Sequence, residues 1–231
     1  PAFAAALGIY LSTVSSAALV AAAPYLALWF FLPAAAWKLS QPVETRDPRL
    51  SAAQINYLGR ISRKIWSFFE TYVGPEDNWL PPDNFQEYPA PLVASRTSPT
   101  NMGMSLLADL AAHDFGYIPA GELLSRAGNT LATMQALERY RGHFYNWYDT
   151  LSLRPLHPAY SSTVDSGNLA GHLLTLRPGL MALLDRPILE TRWLAGLIDT
   201  LGILEEAASE TDPASLAKFR KALESACHAR P

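Results

Sequence analysis

Three stretches of the chain concentrate side chains able to do chemistry. The richest is His143-Phe144-Tyr145-Asn146-Trp147-Tyr148-Asp149-Thr150, followed by Ser161-Ser162-Thr163-Val164-Asp165-Ser166-Gly167-Asn168. Aromatic faces pack on the C–H faces of a pyranose, and amides and carboxylates bind its hydroxyls. Four rings beside Asn146 and Asp149 therefore suit a sugar site in a mostly apolar cleft. The same rings also suit a hydrophobic core, and composition alone leaves both readings open.

The second stretch, Asn78-Trp79-Leu80-Pro81-Pro82-Asp83-Asn84-Phe85-Gln86-Glu87, is poor helix material. Its prolines fix the backbone. The loop is either a rigid surface element packed by Trp79 and Phe85, or a frame that holds Asp83, Asn84, Gln86 and Glu87 in place. The third, Arg96-Thr97-Ser98-Pro99-Thr100-Asn101-Met102-Gly103, leads into a helix, with Pro99 suited to the first turn beside a Ser98 cap. It is either a capped helix start or, with Arg96, Thr97 and Asn101 at a helix N-terminus, a place where backbone N–H groups meet hydroxyls or anions.

Other chemistries find no support. His143, His157 and His172 match no ligand spacing, so no metal site is expected. The chain shows no Ser–His–Asp order, phosphate loop or dinucleotide fingerprint. One cysteine, Cys227, rules out an internal disulfide framework. A net charge of −3 lacks the basic surplus of a generic nucleic-acid binder.

The elements that must position these stretches are helical. Ser51 and Gln54 make a capping box, and Ile55, Leu58, Ile61, Ile65, Phe68 and Tyr72 recur every three or four residues. This predicts a first helix ending near Gly74. A second runs from Ser98–Thr100 to Asp114, and a third from Ala120 to Arg141, with Gly142 as the C′ residue. A fourth opens near Asp165, with Ser162 and Asp165 in capping-box spacing, and breaks at Pro178. A fifth holds Trp193, Leu197, Leu201 and Leu204, and a sixth follows Asp212-Pro213. No strand pattern exceeds a few residues. The soluble part is therefore all-α, built of helical hairpins, and its long loops 75–97 and 142–164 are of a length that usually carries function.

The 231 residues are 49% apolar and 17% charged, but the charges are unevenly spread: residues 1–37 hold no Asp, Glu, Lys or Arg. A span needs about 20 apolar residues, and we place it over 10–33, interrupted by Pro24 and Pro33, with Trp29, Phe30, Phe31 and Trp37 as an interfacial belt. A buried hairpin of a soluble protein is the alternative. Lys38, Arg46, Arg49, Arg60, Arg63 and Lys64 follow, and a basic excess near a span favours a cytoplasmic soluble part. The resulting division is a membrane segment 1–37, a linker 38–50 containing Pro42 and Pro48, and a domain 51–231.

These motifs, from Glu76 to Glu87, Arg96 to Asn101, Gly142 to Thr150 and Ser162 to His172, resemble the middle region of bacterial cyclic β-1,2-glucan synthases. The resemblance covers most of residues 50–176 and weakens after Leu176. It implies a very large inner-membrane protein. In such proteins a membrane-embedded glycosyltransferase makes linear glucan from UDP-glucose, a central (α/α)6-type domain similar to glucoamylases cyclises it by transglycosylation, and a phosphorylase-like domain trims it. Residues 1–37 then correspond to the last membrane segment of the synthase part. Residues 50–231 correspond to the first half of the cyclisation domain, because about six helices stand here where a full barrel has twelve.

The resemblance also implies partners: a β-1,2-glucan chain, the remaining domains of the parent and the bilayer, with no nucleic acid. It implies no cofactor in this region, UDP-glucose being used by the synthase part. Asp83, Asn84, Arg96, Asn101, Tyr145, Asn146, Trp147, Tyr148, Asp149, Asp165 and Asn168 are the expected glucan-binding residues. The catalytic carboxylates are not identified; Asp149, Asp165 and Glu87 are the candidates, and at least one of the pair is expected beyond residue 231. Isolated, the chain is expected to be inactive. Rival readings are a membrane-tethered carbohydrate-binding or scaffold module without catalysis, and a complete glycoside hydrolase using Asp149 and Asp165.

Overall fold

In the computed structural model the chain divides into two units, residues 1–49, which include the uncharged run, and residues 50–231. The structure describes residues 1–41, 50–187, 190–207 and 213–228. Pro42 and Pro48 of the expected linker, the basic residues Arg46 and Arg49, and the Asp212 expected to open the last helix lie outside them.

The first unit is a pair of packed helices, α1 (Ala2–Val14) and α2 (Ser16–Leu39). The span expected over 10–33 thereby shifts to α2, with α1 a separate, shorter apolar helix. Ser15 adopts an extended backbone (φ −160°, ψ 111°), which ends α1, and its side chain caps α2 by accepting from the Ala18 N–H at 3.3 Å. Pro24 and Pro33 lie inside α2 and do not end it. At 1.5 Å per residue, its 24 residues extend about 36 Å, enough to cross a hydrocarbon core of about 30 Å. Among the described residues α2 is the one helix long and apolar enough to do so. The Ser12 and Thr13 hydroxyls donate to the carbonyls of Ile9 and Tyr10, so neither is left unsatisfied in an apolar setting.

The second unit holds α3 (Ala52–Tyr72), α4 (Pro99–Asp114), α5 (Ala120–Ala136), α6 (Thr163–Met181), α7 (Arg192–Ala207) and α8 (Pro213–His228). It is all-α, as expected. The capping box of α3 forms in both directions: the Ser51 side chain accepts from the Gln54 N–H at 3.3 Å, and the Gln54 side chain accepts from the Ser51 N–H at 2.8 Å. Helix α4 is central and packs on α6, α5 and α3, while α7 packs on α3 and α8. Met102, Leu106, Leu169 and Leu176 fill the α4–α6 seam and continue into a core with Leu80, Met134, Leu137 and Tyr148. Gly103 makes this approach possible, since a Cβ there would lie 2.3 Å from His172 Nδ1. A second cluster, Trp66, Ala112, Ile118 and Leu123, joins α3, α4 and α5.

An ion pair is buried in this core. Arg126 Nε donates to Asp109 Oδ1 at 2.8 Å, Arg126 NH2 donates to the Phe69 carbonyl at 3.0 Å, and the guanidinium lies 5.0 Å from the Trp66 ring centroid. Asp109 has no exposed surface. Burial pushes its carboxyl up from 3.8 to about 6, against the opposing pull of Arg126.

Two helix ends differ from expectation. Helix α5 stops at Ala136 rather than Arg141, because the chain turns back in a hairpin of β4 (Arg139–Tyr140) and β5 (His143–Phe144). Arg141 and Gly142 both take positive φ (50° and 87°), as a two-residue hairpin turn requires. Helix α6 continues through Pro178 to Met181. Its apolar residues point to more than one side: Leu169 and Leu176 are buried, while Val164, Leu174 and Met181 are exposed.

Candidate functional site

The long loops are tied together by short antiparallel ladders. β1 (Phe85–Gln86) pairs with β2 (Leu92–Val93), and β3 (Arg96–Thr97) pairs with β6 (Tyr148–Asp149). Arg96 stands opposite Asp149 and Thr97 opposite Tyr148, so the Arg96–Gly103 and His143–Thr150 motifs are neighbours in one ladder. Thr150 N–H donates to the Ser95 carbonyl at 3.0 Å and extends it. The Asn78–Glu87 motif is anchored beneath. The Asn78 side chain donates to the Thr150 carbonyl at 2.8 Å, and the Thr150 hydroxyl donates to Asp77 Oδ1 at 2.6 Å. Leu80, Pro81 and Pro82 are fully buried, and Phe85 stacks on Tyr72 at the end of α3 with centroids 5.2 Å apart.

The ladders and the starts of α4 and α6 converge on one polar cluster. Asp83 is its first hub. Its Oδ2 accepts from Arg96 NH2 (2.9 Å), Arg96 Nε (3.2 Å) and Asn84 Nδ2 (3.1 Å), and its Oδ1 faces Asn101 Nδ2 at 3.4 Å. The Arg96 guanidinium also lies over Trp147, 5.0 Å from the ring centroid. The Arg96 side chain is 51% exposed and that of Asp83 20%.

Asp165 is the second hub. Its Oδ1 accepts from the Thr100 hydroxyl at 2.7 Å, and Asn168 Nδ2 donates to that hydroxyl at 3.1 Å. Its neighbours dictate the orientation of the Asn146 amide. The nitrogen donates to Asp165 Oδ2 at 2.8 Å, and the oxygen accepts from Trp147 Nε1 and the Tyr160 hydroxyl, each at 2.8 Å. The reverse orientation would set an amide oxygen against a carboxylate oxygen. Ser162 caps α6 by accepting from the Asp165 N–H at 3.1 Å, whereas the Asp165 carboxylate turns to Thr100 and Asn146. The expected capping box at α6 is therefore only half formed. At α4, Ser98 accepts from the Asn101 N–H at 3.2 Å, as expected.

Asp83, Asn84, Arg96, Asn101, Asn146, Trp147, Asp165 and Asn168 are thus brought together. Other expected residues are placed differently. Tyr148 is fully buried, with its hydroxyl donating to the Glu138 carbonyl at 2.7 Å and accepting from the Tyr145 N–H at 2.8 Å. This corrects its reading as a glucan contact, since it has no surface to offer. Tyr145 packs edge-on against it, centroids 6.3 Å apart. Asp149 Oδ1 accepts from the Ser152 N–H (2.7 Å), the Ser152 hydroxyl (2.8 Å) and the Leu151 N–H (3.1 Å). These bonds, the Ser152 N–H foremost, hold its carboxyl below the usual range. Asp149 and Asp165 share no hydrogen-bond partner. Glu87 is exposed, off the ladder, with no bond to the cluster.

Sequence reasoning missed Tyr160 as a member of the cluster. It carries no motif, and its role arises from a fold-back in which its carbonyl accepts from the Asn146 N–H at 2.7 Å. Among the described residues no group of three His, Cys, Asp or Glu side chains is placed to hold a metal ion. A separate cavity of about 280 Å³ between α3, α7 and α8 is lined by Arg60, Asp199, Glu205 and Arg220. Arg220 pairs there with Glu205, and Arg60 and Lys64 pair with Glu206.

No protein-family profile matches the chain. Among solved structures, a Bacteroides fragilis protein assigned as a glucoamylase is similar over 62% of this chain and 37% of its own, with 18% identity and a TM-score of 0.45. Among sequences, cyclic beta-(1,2)-glucan synthase NdvB of Rhizobium meliloti (strain 1021) is 43% identical over 189 residues, or 81% of this chain. The resemblance drawn from the motifs therefore holds over most of the chain. The chain spans 7% of the length of NdvB.

Proposed function

We propose that this chain is the part of a membrane-bound cyclic β-1,2-glucan synthase that joins a membrane helix to the cyclisation domain, and that its polar cluster holds the glucan. The observation that carries the reading is the 43% identity to NdvB over a segment whose three motifs meet in one cluster. In the parent, cyclisation transfers the anomeric carbon of one glucose from its leaving oxygen to a hydroxyl at the far end of the same chain, with no net water consumed. The protein must hold two distant sugars at once, and a surface of exposed amides, a held guanidinium and an indole serves that purpose. Asn84, Asn168 and Arg96 offer donors at the surface, and Trp147 offers an apolar face.

Retention of configuration requires a nucleophilic carboxylate and an acid/base partner about 5 Å apart. Asp149 caps a turn and Asp165 is bonded through both oxygens, so this reading gives both supporting roles and assigns the reacting pair to other parts of the parent. The exposed Val164, Leu174 and Met181 of α6 support further helices packing there, as in an (α/α)6-type barrel. Helix α2 is read as an inner-membrane span, with the second unit in the cytoplasm.

Titration of the purified chain with linear β-1,2-glucan by calorimetry tests the reading. Saturable binding, at least tenfold weaker for β-1,4- and β-1,3-linked glucans, is expected. Absence of binding, or equal affinity for all three linkages, would overturn it. Incubation with linear β-1,2-glucan should yield neither cyclic nor hydrolysed product. Cyclic products abolished by Asp149→Ala or Asp165→Ala would show that the reacting carboxylates were misassigned.

A further inference from the structure

Trp147 is gripped from two directions by two separate chains of contacts. On one side Asp83 holds Arg96, and the Arg96 guanidinium lies over the indole ring at 5.0 Å. At the ring edge, Asp165 Oδ2 accepts from the Asn146 nitrogen, and the Asn146 oxygen accepts from Trp147 Nε1, both at 2.8 Å. The Asn146 main chain is fixed in turn by its N–H bond to the Tyr160 carbonyl at 2.7 Å. The other oxygen of Asp165 is occupied by the Thr100 hydroxyl, whose own lone pair takes the Asn168 amide.

An amide has one donating and one accepting end. Asn146 can present its oxygen to the indole N–H only if something accepts at its nitrogen, and Asp165 is that acceptor. Each oxygen of Asp165 already accepts from a protein donor, which holds the carboxylate toward Thr100 and Asn146. We propose that Asp165 is a positioning residue that orients the Asn146 amide and through it fixes Trp147 as the glucan-stacking platform, without contacting the glucan itself. This rests on the reading of the cluster as a glucan site. A fixed indole gains contact with a pyranose face at little cost in side-chain freedom, and the same ring released from its Nε1 bond would have to be ordered on binding.

An exchange of the two side chains separates positioning from contact. Asn146→Asp alone sets two carboxylates against each other at the 2.8 Å contact and should weaken binding of linear β-1,2-glucan about tenfold. In the double variant Asn146→Asp/Asp165→Asn the acceptor for Trp147 and Tyr160 returns, now as a carboxylate, and the amide at 165 donates to it. Binding should recover to within about twofold of wild type. Asp165→Ala should lose about tenfold.

Fluorescence reads the ring directly, as the difference between each protein and its Trp147→Phe counterpart. Asp165→Ala should shift the Trp147 emission to the red without ligand, and the double variant should restore it. Recovery of emission and melting temperature in the double variant without recovery of binding would mean that the Asp165 carboxylate touches the glucan, and would overturn the proposal. Unchanged Trp147 emission in Asp165→Ala would overturn it as well. If the wild-type chain binds no β-1,2-glucan, the glucan reading fails, and the emission of Asp165→Ala still decides whether Asp165 positions the ring.

Discussion

Replacing Arg126 with methionine tests the electrostatics of the core, because Arg126 is bonded to the fully buried carboxylate of Asp109. Desolvation raises Asp109 from 3.8 to about 6, and Arg126 already works against that rise. A shift of that size corresponds to about 3 kcal/mol disfavouring the ionised form in the fold. The folded pKa lies above the unfolded value, so the folded state binds the extra proton between them. The associated stability is complete below about pH 4 and is lost as pH rises through about 6. Arg126→Met removes the two influences that lower the pKa and leaves the burial that raises it. At pH 8 the variant holds an unpartnered buried charge, and a loss of about 3–5 kcal/mol is expected. At pH 5 Asp109 takes a proton, and only a neutral unsatisfied group remains, costing about 1–3 kcal/mol. Urea unfolding of wild type and variant at both pH values, followed by far-UV circular dichroism, measures the difference, and comparison at each pH cancels groups common to both proteins. A destabilisation equal at pH 5 and pH 8 would refute the argument. The double variant Asp109→Leu/Arg126→Met should recover much of the loss, since apolar replacement of a buried pair is often neutral.

Two further substitutions probe packing and capping. Gly59→Ala should destabilise by about 1–3 kcal/mol through overpacking, despite alanine's better helix propensity, because the new Cβ would lie 2.2 Å from Asp199 Oδ1 across the α3–α7 contact. Thermal unfolding checks it; a rise in melting temperature would show that α7 moves freely. Ser98→Ala should lose about 1 kcal/mol by freeing the Asn101 N–H at the start of α4, measured by urea unfolding.

The helices were legible in the sequence where local signals state them. Ser51 and Gln54 announce α3, and Ser98-Pro99 announces α4, because a cap is a contact between residues three apart. The errors have a common cause. Gly142 as a C′ residue carries the expected helix to Arg141, but Arg141-Gly142 serves a hairpin turn whose partner strand lies only downstream. Propensity alone breaks a helix at Pro178 and ends the span at Pro33, but α6, packed on α4, and α2, packed on α1, both run on past them. The span was started six residues early because Ser15 is a weak signal inside an apolar run.

The cluster shows the same division more sharply. Residue types pointed to most of its members, such as Asp83, Arg96, Asn146 and Asp165, but also to the buried Tyr148 and not to Tyr160. Their individual roles depended on partners 65 or 68 residues away, such as Thr100 for Asp165 and for Asn168. Asp149 and Asp165 look alike in sequence, each an acid beside Ser or Thr in a loop or at a helix start. The fold separates them: one carboxylate closes a turn with Ser152 three residues on, and the other bridges two helix starts and an asparagine. Tyr148 and Trp147 are adjacent rings in one motif, yet Tyr148 at the start of β6 is fully buried in the core, while Trp147, just before the strand, stays half-buried beneath Arg96. Neighbouring rings of one motif therefore part company where the chain enters the strand: one joins the core and the other stays at the polar cluster.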